Sequence, residues 1–116
     1  MFVTPNAERA EIDLRKLTGY VLDPGHPEGR NKARVFEAVL GYNQSNATEL
    51  VRQVRENLGR VPARLGTTDA FGLRYTVDVP VVGPKGSAVV RTGWIVKSGS
   101  DIPTLTTMFV KRHERE

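Results

Sequence analysis

The chain lacks cysteine entirely, and its 116 residues include only two histidines, His26 and His113. Without cysteine the protein has neither a disulfide framework nor a thiolate metal site, and two isolated histidines do not favour a zinc site. We therefore expect no metal and no other cofactor.

Long hydrophobic runs are also missing. No stretch approaches the roughly 18 to 20 apolar residues that cross a bilayer, and the first residues do not follow the basic-then-apolar pattern of a secretory signal. We therefore expect no membrane partner and a cytoplasmic protein, with delivery into target cells by a dedicated machine as an alternative. The length, with 39% hydrophobic and 26% charged residues, predicts a single globular domain over residues 1–116.

Positive charge exceeds negative charge, with a net value of +4 at pH 7. This excess fits a polyanion such as RNA, although many proteins that bind no nucleic acid reach the same value. The basic residues form three clusters, which are Arg30, Lys32 and Arg34, then Arg52, Arg55, Arg60 and Arg64, and finally Lys111, Arg112 and Arg115. The first cluster is of most interest because it follows His26.

Apolar residues recur at helical spacing in three stretches of the first half. Asp13 is a typical N-cap for the first helix, which ends before Pro24. The second helix is predicted from residue 31 to residue 40, with Gly41 as its stop signal, and the third from 47 to 58. The expected buried faces are Leu14, Leu17 and Val21, then Ala33, Phe36, Val39 and Leu40, and then Leu50, Val51, Val54 and Leu58.

The second half changes to a period of two. Residues 73–81 alternate between apolar and polar side chains, which is typical of a strand with one buried face. A turn at 83–86 leads into a second strand at 87–97, and a third follows at 104–110. This order predicts an α+β fold, with two to three N-terminal helices packed on an antiparallel meander of three to four strands.

His26 is the main catalytic candidate. It lies in a loop, residues 23–29, that contains two prolines and two glycines, where a side chain can face a substrate. An imidazole takes and gives protons near neutral pH, as RNA cleavage by 2′-hydroxyl attack requires. The alternative is that His26 is a surface or structural residue.

Basic side chains at the start of the second helix predict an anion site. Lys32 is a candidate for stabilising a charged phosphate, and Arg30 and Arg34 are candidates for substrate binding. The alternative is that these side chains simply solvate an exposed helix face.

The strand at 87–97 offers candidates on both faces. Arg91, beside Gly93, would place a charged group over an open patch of sheet, suited to a phosphate or an oxyanion. Thr92 and Trp94 share the other face and are candidate substrate-binding residues, although packing is the commoner role of a strand tryptophan. Thr107 in the next strand adds a hydroxyl that could hold a phosphate oxygen.

Several segments together resemble a family of small uncharacterised bacterial domains, which occur alone or at the end of polymorphic toxins. The segments are Pro5-Asn6-Ala7, Ile12-Asp13, Lys16-Leu17, Pro24-Gly25-His26-Pro27 with Gly29, Lys32-Ala33 with Phe36, Gly72 with Tyr75, Val90 to Val96, and Pro103 to Thr107. The resemblance implies a toxin role by association.

The order of elements also resembles the barnase, EndoU and RelE group of ribonuclease toxins, which cleave RNA without a metal. This resemblance implies that His26 is the general base or acid, that Lys32 and Arg91 stabilise the phosphorane, and that Thr107 positions a phosphate oxygen. His113, close to the C-terminus, is not expected to provide a second catalytic histidine.

The leading hypothesis is therefore a metal-independent endoribonuclease of the toxin type, with RNA as substrate and an antitoxin or immunity protein as partner. No nucleotide-binding loop, zinc-protease motif or serine triad is present to indicate another enzyme class. One alternative is a non-catalytic module that binds a protein or nucleic acid through the same basic surface. Another is an accessory domain in which His26 and Trp94 are only packed.

Overall fold

A computed structural model describes residues 2–111, so His113, Arg112 and Arg115 lie outside the described residues. Over this range three helices precede a four-stranded antiparallel sheet, which confirms the predicted α+β fold. No helix between residues 2 and 111 is long and apolar enough to cross a membrane.

The helices begin and end close to their predicted positions. Their bounds are α1 (Leu14–Lys16), extended by a π-helical turn (Leu17–Val21), α2 (Arg30–Val35), extended by a second π-helical turn (Phe36–Leu40), and α3 (Ala47–Leu58). The Asp13 carboxylate accepts a hydrogen bond from the Arg15 amide at 3.0 Å, as an N-cap does. Gly41 ends the second helix with a φ of 83°, a conformation that favours glycine.

The strands follow one another in the sheet in the order of the sequence. They are β1 (Ala63–Asp69), β2 (Gly72–Val82), β3 (Ser87–Lys97) and β4 (Pro103–Val110). The predicted strands correspond to β2, β3 and β4, whereas β1 was not predicted. β2 and β3 pair in register along their whole length. β4 is an edge strand whose first residues also pair with Glu11.

One face of the sheet packs against the helices and forms the core. Phe36, Leu40, Val77, Val79 and Trp94 are among the fully buried side chains there. The opposite face, called the outer face below, carries the alternate residues of the strands.

Two expected core positions are wrong. Val39 is 39% exposed and Leu14 is 44% exposed. The wider π-helical turn places Leu40, not Val39, on the side of Phe36, and Leu14 lies in the first turn of α1, at the surface.

Candidate functional site

The start of α2 is held against the end of the first helix by a close backbone approach. A Cβ atom on Gly29 would lie 1.9 Å from the carbonyl oxygen of Tyr20, so only glycine fits there. The approach brings the Tyr20 ring beside His26, edge to face, with 4.6 Å between ring centroids. The loop that carries His26 is therefore fixed to the helical layer.

His26 is half-buried and uses its Nδ1 atom within the loop. That atom accepts hydrogen bonds from the backbone amides of Glu28 and Gly29, each at 3.0 Å. An Nδ1 that accepts two N–H groups carries no hydrogen, so the neutral ring has its hydrogen on Nε2. The Nδ1 lone pair thus binds the loop amides, and Nε2 with its hydrogen is the ring atom left for the predicted role of general base or acid.

Lys32 crosses from α2 to the edge of β4. Its Nζ atom donates a hydrogen bond to Oγ1 of Thr107 at 3.2 Å. The ammonium also lies 5.5 Å from the centroid of the Tyr20 ring and 5.8 Å from that of Phe109. Lys32 takes part in none of the ion pairs found between residues 2 and 111. The structure thus brings two of the predicted catalytic residues, Lys32 and Thr107, into direct contact.

A bulge places two threonines over a glycine on the outer face. Gly93 pairs with Thr107 and Trp94 pairs with Leu105, so Thr106 is the extra residue of β4. A Cβ on Gly93 would meet side-chain atoms of Thr107 and Thr106 at 3.0 and 3.1 Å. Thr107 therefore lies on the outer face.

Arg91 shares that face, two residues along β3 from Gly93, but it is already paired. Its Nε and Nη2 atoms donate to the two carboxylate oxygens of Asp78 at 2.9 and 3.1 Å, and Lys111 donates to the same carboxylate at 3.2 Å. These hydrogen bonds, with that from Arg91 the largest cause, lower the pKa of Asp78 to about 2. Sequence reasoning did not single out Asp78, because its position directly across from Arg91 depends on the register of β2 with β3.

The first basic cluster lines three cavities beside α2, and Arg34 lines two of them. Arg30 and Arg34 line a cavity of about 340 Å³ together with Leu22 and Pro24. Lys32, which lies between them in sequence, points to β4 instead. Arg30 and Lys32, both candidates for a phosphate contact, therefore line different cavities.

Thr92 and Trp94 belong to the core. They are 0% and 1% exposed, respectively. The indole Nε1 of Trp94 donates to Thr92 Oγ1 at 2.7 Å, and that hydroxyl donates to the Val77 carbonyl at 2.7 Å. Their predicted role in substrate binding is corrected, because both side chains are enclosed and their polar atoms are already paired.

Comparison with known proteins gives one match. No curated protein and no solved structure matches the chain. One family model, described as a domain of unknown function, matches residues 4–112. Because this match covers nearly the whole chain, the protein belongs to the DUF6883 family.

Proposed function

We propose that this chain is a metal-independent endoribonuclease of the toxin type. The observation that carries the proposal is the position of Lys32, whose half-buried ammonium contacts Thr107 on the face that also carries Arg91. The order of elements, helices and then an antiparallel meander, supports it by its resemblance to the barnase, EndoU and RelE group.

Lys32 and Thr107 have the groups that a phosphate needs. An ammonium has three hydrogens, of which Thr107 takes one, and the Thr107 hydroxyl still has its own hydrogen to donate. The rings of Tyr20 and Phe109 flank the ammonium and limit its contact with water. A cation in such a partly dry position stabilises the charge that builds on a phosphorane more strongly than one in open water.

Arg91 and Asp78 supply the remaining chemistry in this proposal. A substrate phosphate that pairs with Arg91 competes with Asp78 for the guanidinium. Loss of that hydrogen bond raises the pKa of Asp78 back toward the usual carboxylate range, so the carboxylate becomes a better proton acceptor. Asp78 then takes the 2′-hydroxyl proton while the 2′-oxygen bonds to phosphorus. The 5′-oxygen leaves with a proton from water, which gives a 2′,3′-cyclic phosphate.

A second candidate function is a non-catalytic module that binds RNA or a protein. The bonding of His26 favours it, because the imidazole acts within the loop and offers only its Nε2 hydrogen to a ligand. Under this alternative the contacts of Lys32 would provide affinity without cleavage.

Purified protein incubated with RNA in EDTA tests the proposal. We expect cleavage that yields cyclic phosphate ends, and we expect Lys32→Gln to slow it about 100-fold, the usual cost of removing one transition-state hydrogen-bond donor. Lys16→Gln is the matched control, because Lys16 is an exposed lysine of α1 and not one of the predicted site residues. Its cleavage rate should equal that of the wild type.

Two results would count against the enzyme. RNA that stays intact while it binds the wild-type protein supports the binding module. Equal cleavage by wild type and Lys32→Gln removes Lys32 from the mechanism. Induced expression in a bacterial host gives an independent readout, since a ribonuclease toxin arrests growth and degrades total RNA.

A further inference from the structure

An open apolar groove runs along the seam between α2 and β4, beside the Lys32 ammonium. Its upper part, of about 520 Å³, is lined by Asn31, Lys32, Val35, Phe109 and Val110. Its lower part, of about 490 Å³, shares Val35 and Val110 and ends at two cations, Arg34 and Lys111. We call the whole depression the α2–β4 groove.

The groove combines an apolar floor with a basic rim. Phe109 and Val35 are half-buried, so each presents part of its apolar surface to the groove. Lys32 lines the upper part, and Arg34 and Lys111, whose ammonium also donates to Asp78, line the lower part. Asn31 is exposed at the upper rim, where its amide can both donate and accept a hydrogen bond.

This set of groups matches the parts of a nucleotide in single-stranded RNA. A flat base stacks on an aromatic ring or on apolar side chains, and its edge pairs with an amide, while the flanking phosphates need cations. An acidic protein segment would also form ion pairs with the cations. Carboxylates alone, however, do not stack on the Phe109 ring, whose centroid lies 5.8 Å from the Lys32 ammonium.

We propose that the α2–β4 groove holds the base of the nucleotide attached to the phosphate at Lys32, with Phe109 as its stacking surface and Asn31 at its edge. This inference rests on the proposed RNA substrate and assigns a base-binding role to residues outside the phosphate centre. It also assigns the path of the strand, along α2 between Lys32 and Arg34.

Binding of a short fluorescent RNA tests the groove without cleavage. The RNA carries 2′-fluoro groups, which remove the attacking hydroxyl, and a second version lacks its bases. We expect the wild type to bind the intact RNA about tenfold more tightly than the abasic one, the usual contribution of one stacked base. The Phe109→Leu variant should bind the intact and the abasic RNA with equal affinity. The salt dependence of its affinity should match that of the wild type.

The salt dependence of the RNA affinity distinguishes the phosphate contact from the base contact. Lys32→Gln should lower the slope of log affinity against log salt by about 0.7, the value for one phosphate contact on a single strand. Phe71→Leu is the control for loss of an aromatic ring, because Phe71 is 70% exposed in the turn between β1 and β2. It should bind both RNAs as the wild type does.

The outcomes distinguish this inference from the proposed function. If the wild type binds intact and abasic RNA with equal affinity, the proposed base site is overturned and the groove is assigned to a protein partner. This comparison does not depend on the folding of any variant. Phe109→Leu that folds and still prefers intact RNA overturns it as well. No binding of RNA by the wild type overturns both proposals, whereas base-dependent binding without cleavage overturns only the ribonuclease.

Discussion

Two residues of the candidate site use their hydrogen-bonding groups in opposite ways. His26 directs its Nδ1 lone pair to the amides of its own loop, and Lys32 directs its ammonium to Thr107, across the junction between α2 and the sheet. Sequence position alone could not separate these roles, because both residues were polar groups near a helix start. The local partners distinguish the two residues, because His26 accepts hydrogen bonds within its own loop and Lys32 donates one to β4.

The structural role of His26 predicts a stability effect. His26→Ala leaves the amides of Glu28 and Gly29 without their acceptor, which costs about 1 kcal/mol, as loss of a cap does. We expect the melting temperature to fall by about 4 °C, measured by circular dichroism. His26→Asn, which keeps a short acceptor, should recover part of the loss. A melting curve for His26→Ala that overlies the wild-type curve would mean that the loop does not depend on the ring.

At the scale of elements, hydrophobic patterning located α1, α2 and α3 and three of the four strands between residues 2 and 111. β1 was missed because its residues, Ala63–Asp69, are largely exposed and so do not alternate between buried and exposed positions. The register of β3 with β2 and β4 was also beyond sequence reasoning, since it depends on turns and on the bulge opposite Gly93. That register is what pairs Arg91 with Asp78 and places Thr107 beside Gly93.

The Asp78 pair predicts a pH-dependent part of the stability. The folded-state pKa of Asp78, about 2, lies below its ordinary value of 3.8, so its contribution is present above about pH 4 and is lost as the pH falls toward 2. Because Arg91 and Lys111 are partly exposed, we expect only about 1 kcal/mol. The free energies of unfolding of the wild type and Asp78→Asn, measured with urea, should differ by this amount at neutral pH.

The difference between the two proteins should shrink below about pH 4 and be mostly gone near pH 2. Glu8→Gln, which changes an exposed carboxylate of the N-terminal segment, is the charge-matched control and should track the wild type. If the difference in unfolding free energy between the wild type and Asp78→Asn stays constant down to pH 2, protonation of Asp78 does not affect the stability.

At the scale of the whole molecule, one core joins the helices to the sheet. Phe36 is 0% exposed and belongs to the same buried cluster as Val77, Val79 and Trp94. The sequence predicted this layer correctly because burial follows from periodicity. Periodicity does not specify which side chains meet across elements distant in sequence, as Lys32 and Thr107 do.

Phe36→Ala should therefore destabilise the whole fold. Removal of a fully buried ring leaves a cavity and costs about 3 to 5 kcal/mol. We expect urea or thermal unfolding to shift as a single transition. Val39→Ala is the comparison on the same helical segment, and its exposed side chain should give a change within about 0.5 kcal/mol. Similar losses in both variants would mean that the core face of this segment has been assigned incorrectly.

The contact between Lys32 and Thr107 joins residues 75 positions apart. A ribosome therefore makes the lysine long before it makes the threonine and Phe109, and the meander must form before the two halves of the site can meet. A nascent chain that ends in the turn between β3 and β4, or a chain cut there by a protease, holds Lys32 without Thr107 and Phe109. The contact between Lys32 and Thr107 is thus complete only after β4 has been made and has paired with β3.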